Sequence, residues 1–256
     1  MSNKEKNGGN KKFLPLKGFI KTSLIDWPEK ICSTVFLGYC NFRCPFCHNP
    51  ELVIHPEKTK NIEEKEFFDF LKTRKKWLDG VCITGGEPTL SPGLKNFCEE
   101  IKKMGFGVKL DTNGSFPDIL NDLLNSNLID YVAMDIKNCF EEYNNTIGVK
   151  IDTNLIKKSI LILSKYSEKN PEFKYELRTT VVPKLHNKEF ILKMFEEISK
   201  LIGKEKTRKE VNFYIQNFRP IKTLDPSYEK EKTFSQEELE EFENLGKKYF
   251  KTCKVR

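Results

Sequence analysis

The sequence predicts an α/β fold built on a parallel sheet, and three observations predict it. Six short runs of β-branched and apolar residues alternate with stretches of helical period. The runs are apolar throughout rather than alternating, as strands are when helices cover both faces of their sheet. The unusual polar residues cluster at or just beyond the ends of the runs, where parallel α/β folds carry their working groups. Strand and helix repeated in this way imply right-handed crossovers. Such a sheet can stay open and doubly wound, or curl into a full or partial barrel.

In chain order, the first strand is expected at 31–38 (ICSTVFLG), ending on a glycine before a cysteine-rich loop, with a helix at 62–78. The second lies at 80–86 (GVCITGG), stopped by paired glycines, with its helix at 93–104. The third is 107–114 (GVKLDTNG), closed by Asn-Gly, and its helix is 117–127. The fourth, 130–137 (DYVAMDIK), precedes a helix at 153–166, where Asp152 or Thr153 is placed to take up free backbone N–H groups. The fifth, 174–183 (KYELRTTVVP), ends at a proline and is followed by a helix at 188–203. The sixth is 211–220 (VNFYIQNFRP). A last helix near 235–250 begins at Ser235 with Glu238 three residues on, the pattern of a capping box, and should pack back on the domain.

These elements fit one domain over 13–256, behind a polar segment, 1–12, that reads as a disordered basic tail. Lys and Arg number 44 against 37 Asp and Glu, for a net charge of +7. The lysines are dispersed among glutamates rather than gathered, which favours acidic partners and argues against nucleic acid. No apolar run reaches the roughly 18 residues of a membrane span, and no apolar stretch backs the charged N-terminus as in a signal peptide. A cytosolic protein with no membrane partner is expected. Its eight cysteines are then read as free thiols or metal ligands rather than structural disulfides.

Three of them crowd into GYCNFRCPFCHNPEL (38–52): Cys40, Cys44 and Cys47. Gaps of three and two residues let one loop wrap a metal centre with soft thiolates. A structural zinc would want a fourth ligand, and Cys32, Cys82, Cys98, Cys139 and Cys253 are scattered singly. CPFCH also matches the haem-attachment pattern, but that leaves Cys40 unexplained and normally requires export. A three-cysteine 4Fe–4S cluster, with one iron open, accounts for all three thiols.

The Cys-x₃-Cys-x₂-Cys spacing, with Phe46 before the third cysteine, resembles the signature of the radical S-adenosylmethionine (SAM) enzymes. The stretch 18–52 is similar to the activating proteins of glycyl-radical enzymes, in particular those of anaerobic ribonucleoside-triphosphate reductase. Where many such activases open with DGPG, this chain has SLIDWPEK (23–30), closer to the DYPGK-type opening of reductase activators, and it lacks an inserted eight-cysteine ferredoxin-like segment. The resemblance covers 18 to about 220 and implies a partial (β/α)6 TIM-type barrel. It also implies one 4Fe–4S cluster on Cys40, Cys44 and Cys47 that binds SAM, a glycyl-radical enzyme as partner, and a low-potential donor such as flavodoxin or ferredoxin.

Within that expectation Gly85, Gly86 and Glu87 bind the amino end of SAM, Phe46 packs on its adenine, and Asp111, Asp135 and Lys137 grip ribose or carboxylate. Arg178, inside a buried strand, needs an anion, which SAM or Asp135 would supply. His48 and Asn49 are typical of activases without being ligands. Cys32, Cys82 and Cys98 read as core; Cys139 lies nearer the site without an assigned role, and Cys253 reads as an exposed tail thiol. Two other functions fit less of the sequence: radical SAM chemistry on a small molecule or peptide, and a zinc-stabilised binding module.

Overall fold

The structure, a computed structural model, describes residues 14–256; the tail expected over 1–12 lies outside the described residues. The elements in order are β1 (Leu16–Ser23), β2 (Cys32–Leu37), α1 (Pro50–Val53), α2 (Glu64–Lys72), β3 (Gly80–Gly85), α3 (Leu94–Lys103), β4 (Gly107–Thr112) and α4 (Pro117–Asn125). There follow β5 (Tyr131–Asp135), α5 (Tyr143–Ile147), α6 (Asn154–Lys169), β6 (Lys174–Val181), α7 (Lys188–Ile202), α8 (Lys204–Glu210), β7 (Asn212–Asn217), α9 (Gln236–Gly246) and β8 (Thr252–Val255).

All eight strands form one sheet in sequence order, parallel from β2 to β8, with β1 antiparallel to β2. The six parallel strands β2 to β7 are the six expected. Val108 and Leu110 of β4 are buried with the outer helices, while Lys109 and Asp111 point to the opposite face. There Arg178 of β6 reaches Asp111 of β4 across the intervening β5, so the sheet is curled with its charged face concave. β1 and β8 are edges that do not pair with each other, which makes this a partial barrel.

The two edge strands are the additions to the expected fold. β1 hides in the sequence because it is half exposed and carries Lys17, Gly18, Lys21 and Thr22. β8 replaces the expectation that the chain closes on a helix, and it corrects the reading of Cys253. That thiol is 1% exposed, held by pairing with Phe213 of β7 and packed against Gly246 at the end of α9. The last helix starts as expected, with the Ser235 hydroxyl accepting from the Glu238 N–H and the Glu238 carboxylate from the Ser235 N–H. At α6 it is Asp152 whose carboxylate accepts, from the Asn154 N–H at 3.0 Å, while Thr153 makes no side-chain cap.

The 23–30 segment folds beneath the barrel. Trp27, 2% exposed, lies under the starts of β3 and β4, where a Cβ on Gly80 would stand 2.6 Å from its ring. This covers the amino ends of β3 and β4, while the cavity lined by the cysteine loop lies at the carboxyl ends of the strands. Among the described residues no helix is long and apolar enough to cross a membrane.

Candidate functional site

The cysteine loop begins where β2 ends. Tyr39, at φ +71°, turns the chain out of the strand and donates its N–H to Leu52 O. The loop then closes on itself: Cys47 N–H donates to Cys44 O at 3.0 Å, Phe42 N–H to the Cys40 sulfur at 3.4 Å, and the Arg43 guanidinium to the carbonyls of Cys40 and Phe42. Arg43 N–H anchors it to α5 through Ile147 O at 2.8 Å. All three cysteines face a cavity of about 220 Å³, which Phe46, Gly85, Gly86, Glu87, Asp111, Asp135, Lys137 and Arg178 also line. Every site residue expected from the sequence is thus brought to one place.

The Gly85-Gly86-Glu87 turn does something the sequence did not reveal. Gly86 N–H donates to Leu37 O and Glu87 N–H to Tyr39 O, both at 2.8 Å, so the turn is laced to the entry of the cysteine loop. A Cβ on Gly86 would stand 2.6 Å from the Tyr39 carbonyl carbon and closer still to its oxygen. The glycine is required by this approach of two backbones. The Glu87 carboxyl, 1% exposed, accepts from the Thr89 N–H and hydroxyl, the Thr112 hydroxyl at 2.7 Å and the Asn113 N–H at 2.7 Å. Burial raises its pKa despite those four donors. It straps the end of β4 to the end of β3 and keeps one oxygen, Oε2, with a single protein donor.

Asp111, Asp135, Lys137 and Arg178 form one charged chain on the concave face, together with Lys109, which the sequence reading did not single out. Lys109 pairs with Asp111, Arg178 bridges Asp111 at 3.0 Å and Asp135 at 2.5 Å, and Lys137 meets Asp135 at 2.9 Å. Burial opposes charge on both carboxylates, but Arg178 with Lys109 or Lys137 holds each below its usual range. Three cations against two carboxylates leave one positive charge over, beside the cavity, which suits an anionic ligand group.

Other participants escaped the sequence reading because nothing local marks them. Asn41 and Asn113 join the cysteine loop to the β4 turn, Asn113 Nδ2 donating to Asn41 Oδ1 at 3.0 Å and Asn41 Nδ2 to the Ser115 hydroxyl at 2.9 Å. His186, 2% exposed, accepts from the Val182 N–H and holds the Lys137 carbonyl with its other nitrogen at 2.8 Å. Burial lowers its pKa to about 4, so it is neutral. His48 and Asn49 both line the cavity, His48 stacked on Phe218 and bonded to Arg219 O. Cys32, Cys82, Cys98 and Cys139 are buried, and none lines the cavity.

The thiols fit a cluster. Among the described residues no three His, Cys, Asp or Glu side chains converge closely enough to hold a single metal ion; a polynuclear cluster offers a separate iron to each thiol, so its ligands need not meet at a point. Burial pushes Cys40 and Cys44 up to about 12 and raises Cys47 as well. Such thiols stay protonated until a bound metal takes the proton's place.

Residues 34–198 match the profile of the radical SAM superfamily. A protein of Methanocaldococcus jannaschii that carries the provisional name glycyl-radical enzyme activating enzyme is 34% identical over 244 residues, which is 94% of this chain and 95% of that one. The pyruvate formate-lyase-activating enzyme of Staphylococcus epidermidis is 27% identical over 187 residues, 67% of this chain and 70% of its own. Among solved structures, TYW1 with a lysine-pyruvate adduct superposes with a TM-score of 0.57 at 17% identity, over 86% of this chain and 74% of the other; that likeness concerns the fold.

Proposed function

This chain belongs to the radical SAM superfamily, and from that premise we propose that it is a glycyl-radical enzyme activase whose partner is an anaerobic ribonucleoside-triphosphate reductase. The observation that carries the activase reading is the near end-to-end alignment with a relative named for that activity, on a chain whose elements are almost all spent on the barrel itself. The reductase as partner rests on the similarity of 18–52 to reductase activators, and flavodoxin or ferredoxin is proposed as donor.

When bound, the cluster and SAM supply one electron and a sulfonium, whose cleavage gives methionine and a 5′-deoxyadenosyl radical. The chain's residues do the rest. Cys40, Cys44 and Cys47 hold the cluster on a loop fixed by Gly86, Glu87 and α5. Glu87 Oε2 and the Gly85-Gly86 backbone face the amino group of SAM, and the surplus charge of the Arg178 network receives its carboxylate. Phe46, 5% exposed, offers a rigid face to the adenine.

A glycine in a large partner must be brought to the opening, and the segments after β2, α1, β3 and β7 keep Tyr39, Ile54, Leu90 and Ile221 exposed. These suit a protein docking surface, with the +7 chain adding electrostatic steering. The test mixes anaerobically reconstituted, reduced protein with SAM and the reductase and looks for a glycyl doublet by electron paramagnetic resonance. Activation should slow with added salt while partner-free SAM cleavage changes little. If candidate glycyl-radical enzymes stay silent while a small molecule or peptide is consumed, the radical SAM chemistry stands and the activase reading falls.

A further inference from the structure

Lys109 is a buried cation that forms no part of the cavity wall. It stands on the concave face of β4, 2% exposed, and of the charged chain Asp111, Asp135, Lys137 and Arg178 line the cavity while Lys109 does not. Its ammonium donates to Asp111 Oδ1, and it lies 3.7 Å from the Cys82 sulfur and 5.8 Å from the centre of the Tyr131 ring. Glu176, two residues before Arg178 on β6 and so on the same face, is already held: Arg256 pairs with Oε1 at 3.0 Å and the Tyr131 hydroxyl donates to Oε2 at 2.6 Å. Burying an ammonium is costly unless a carboxylate compensates it, and among the described residues Asp111 is the carboxylate that pairs with this one.

The pairing decides how much of Arg178 is spent inside the protein. Arg178 donates from Nε to Asp135 Oδ1 and from Nη2 to Asp111 Oδ2 at 3.0 Å; neither bond uses Nη1. A guanidinium beside a free carboxylate favours two parallel bonds to its two oxygens. Here each carboxylate has one oxygen for Arg178, since Lys109 holds Asp111 Oδ1 and Lys137 holds Asp135 Oδ2 at 2.9 Å. The guanidinium therefore keeps donor capacity at the cavity wall. Without Lys109, Arg178 and Lys137 would meet Asp111 and Asp135 with no charge left over, and Asp111 would be free to close on the guanidinium with both oxygens.

We propose that Lys109 is a positioning residue that reserves Arg178 for the carboxylate of an amino-acid ligand: it holds Asp111 from behind the cavity and supplies the positive charge that is in surplus. It touches no ligand and acts through Asp111 and Arg178. The inference rests on the SAM reading above and names the residue that makes the site select a ligand bearing a carboxylate.

The experiment uses the full chain, reconstituted anaerobically, with iron and sulfide counted per chain, and measures binding of SAM and of decarboxylated SAM by equilibrium dialysis. Decarboxylated SAM keeps the adenosine, sulfonium and amine and lacks the carboxylate. Lys109→Met removes the ammonium and keeps an unbranched side chain. It should hold its iron, bind SAM about ten- to a hundredfold more weakly, as for the loss of one charge-assisted bond, and bind decarboxylated SAM as the wild type does. Combining Lys109→Met with Asp111→Asn leaves Arg178 and Lys137 against Asp135 alone, which restores the surplus charge, and SAM affinity should return to within about threefold of wild type. That recovery is one a packing role would not produce. Equal losses for the two ligands, unchanged SAM affinity in the single variant, or no recovery in the double variant overturns the inference and leaves the SAM reading intact. A wild type that holds iron and binds no SAM overturns that reading and the inference with it. If the single variant does not fold, or decarboxylated SAM binds too weakly to measure, the double variant decides alone.

Discussion

Replacing Gly86 with Ala tests what the glycine pair is for. The added methyl would stand 2.6 Å from the Tyr39 carbonyl carbon, whereas real Cβ contacts begin beyond 3.0 Å. Both sides of that contact are backbone, so no side chain can swing away and the two segments must part. Parting stretches the Glu87 N–H bond to Tyr39 O, now 2.8 Å. Overpacking of this kind costs about 1–3 kcal/mol and a lost hydrogen bond about 0.5–1.5 kcal/mol. A destabilisation of about 2–4 kcal/mol follows, centred on the residue before Cys40. The variant should therefore lose iron, and lose SAM binding in proportion. The assay is iron and sulfide per chain after anaerobic reconstitution, beside urea unfolding of the apo-protein and SAM affinity by equilibrium dialysis. A variant with full iron and stability within about 0.5 kcal/mol of wild type, yet no SAM binding, would refute the backbone argument and show that the glycine makes room for the ligand instead.

Cys44→Ala should abolish cluster assembly, measured as iron per chain, while Cys98→Ala, in the core away from the cavity, should keep it. Arg178→Met removes the bridge between Asp111 and Asp135 and leaves each carboxylate one lysine, Lys109 or Lys137; a loss of about 1.5–3 kcal/mol in urea unfolding is expected, together with loss of SAM affinity. His186 gives a pH signature. Its folded pKa is near 4 against 6.5 unfolded, so the unfolded chain takes up the proton first as pH falls. Stability is full above 6.5 and drops by up to about 3 kcal/mol by pH 4 from this residue. His186→Gln should remove that component of the slope between pH 7 and pH 4.5, and an unchanged slope would show that the imidazole protonates freely when folded.

Part of this protein is decided locally, and that part could be read directly from the chain. The six strands expected, β2 to β7, are runs rich in β-branched and apolar residues, most of them stopped by Gly, Pro or Asn-Gly, while the charges on β4 and β6 mark the concave face. The capping box at Ser235 is likewise a matter of residues three apart. The cysteine spacing is set by how far one loop can wrap around a cluster, and the polar residues at strand ends followed from the direction of a parallel sheet.

What depends on distant partners could only be decided in three dimensions. β1 and β8 are strands because an edge of the sheet was free to receive them; by composition β1 is too polar and β8 too short to announce itself. Cys253 sits in a charged, terminal stretch, and only pairing with Phe213 and the space beside Gly246 buries it. Glu87 looks like a ligand carboxylate and is also a strap, because Thr112 and Asn113 arrive beside it from the next strand. Lys109 reads as one dispersed lysine among many, until curvature of the sheet turns it inward onto Asp111. Tyr143 carries no signal at all along the chain. Only α5, held by Arg43 and Gly148, packs its ring against Phe42 of the cysteine loop and buries it completely.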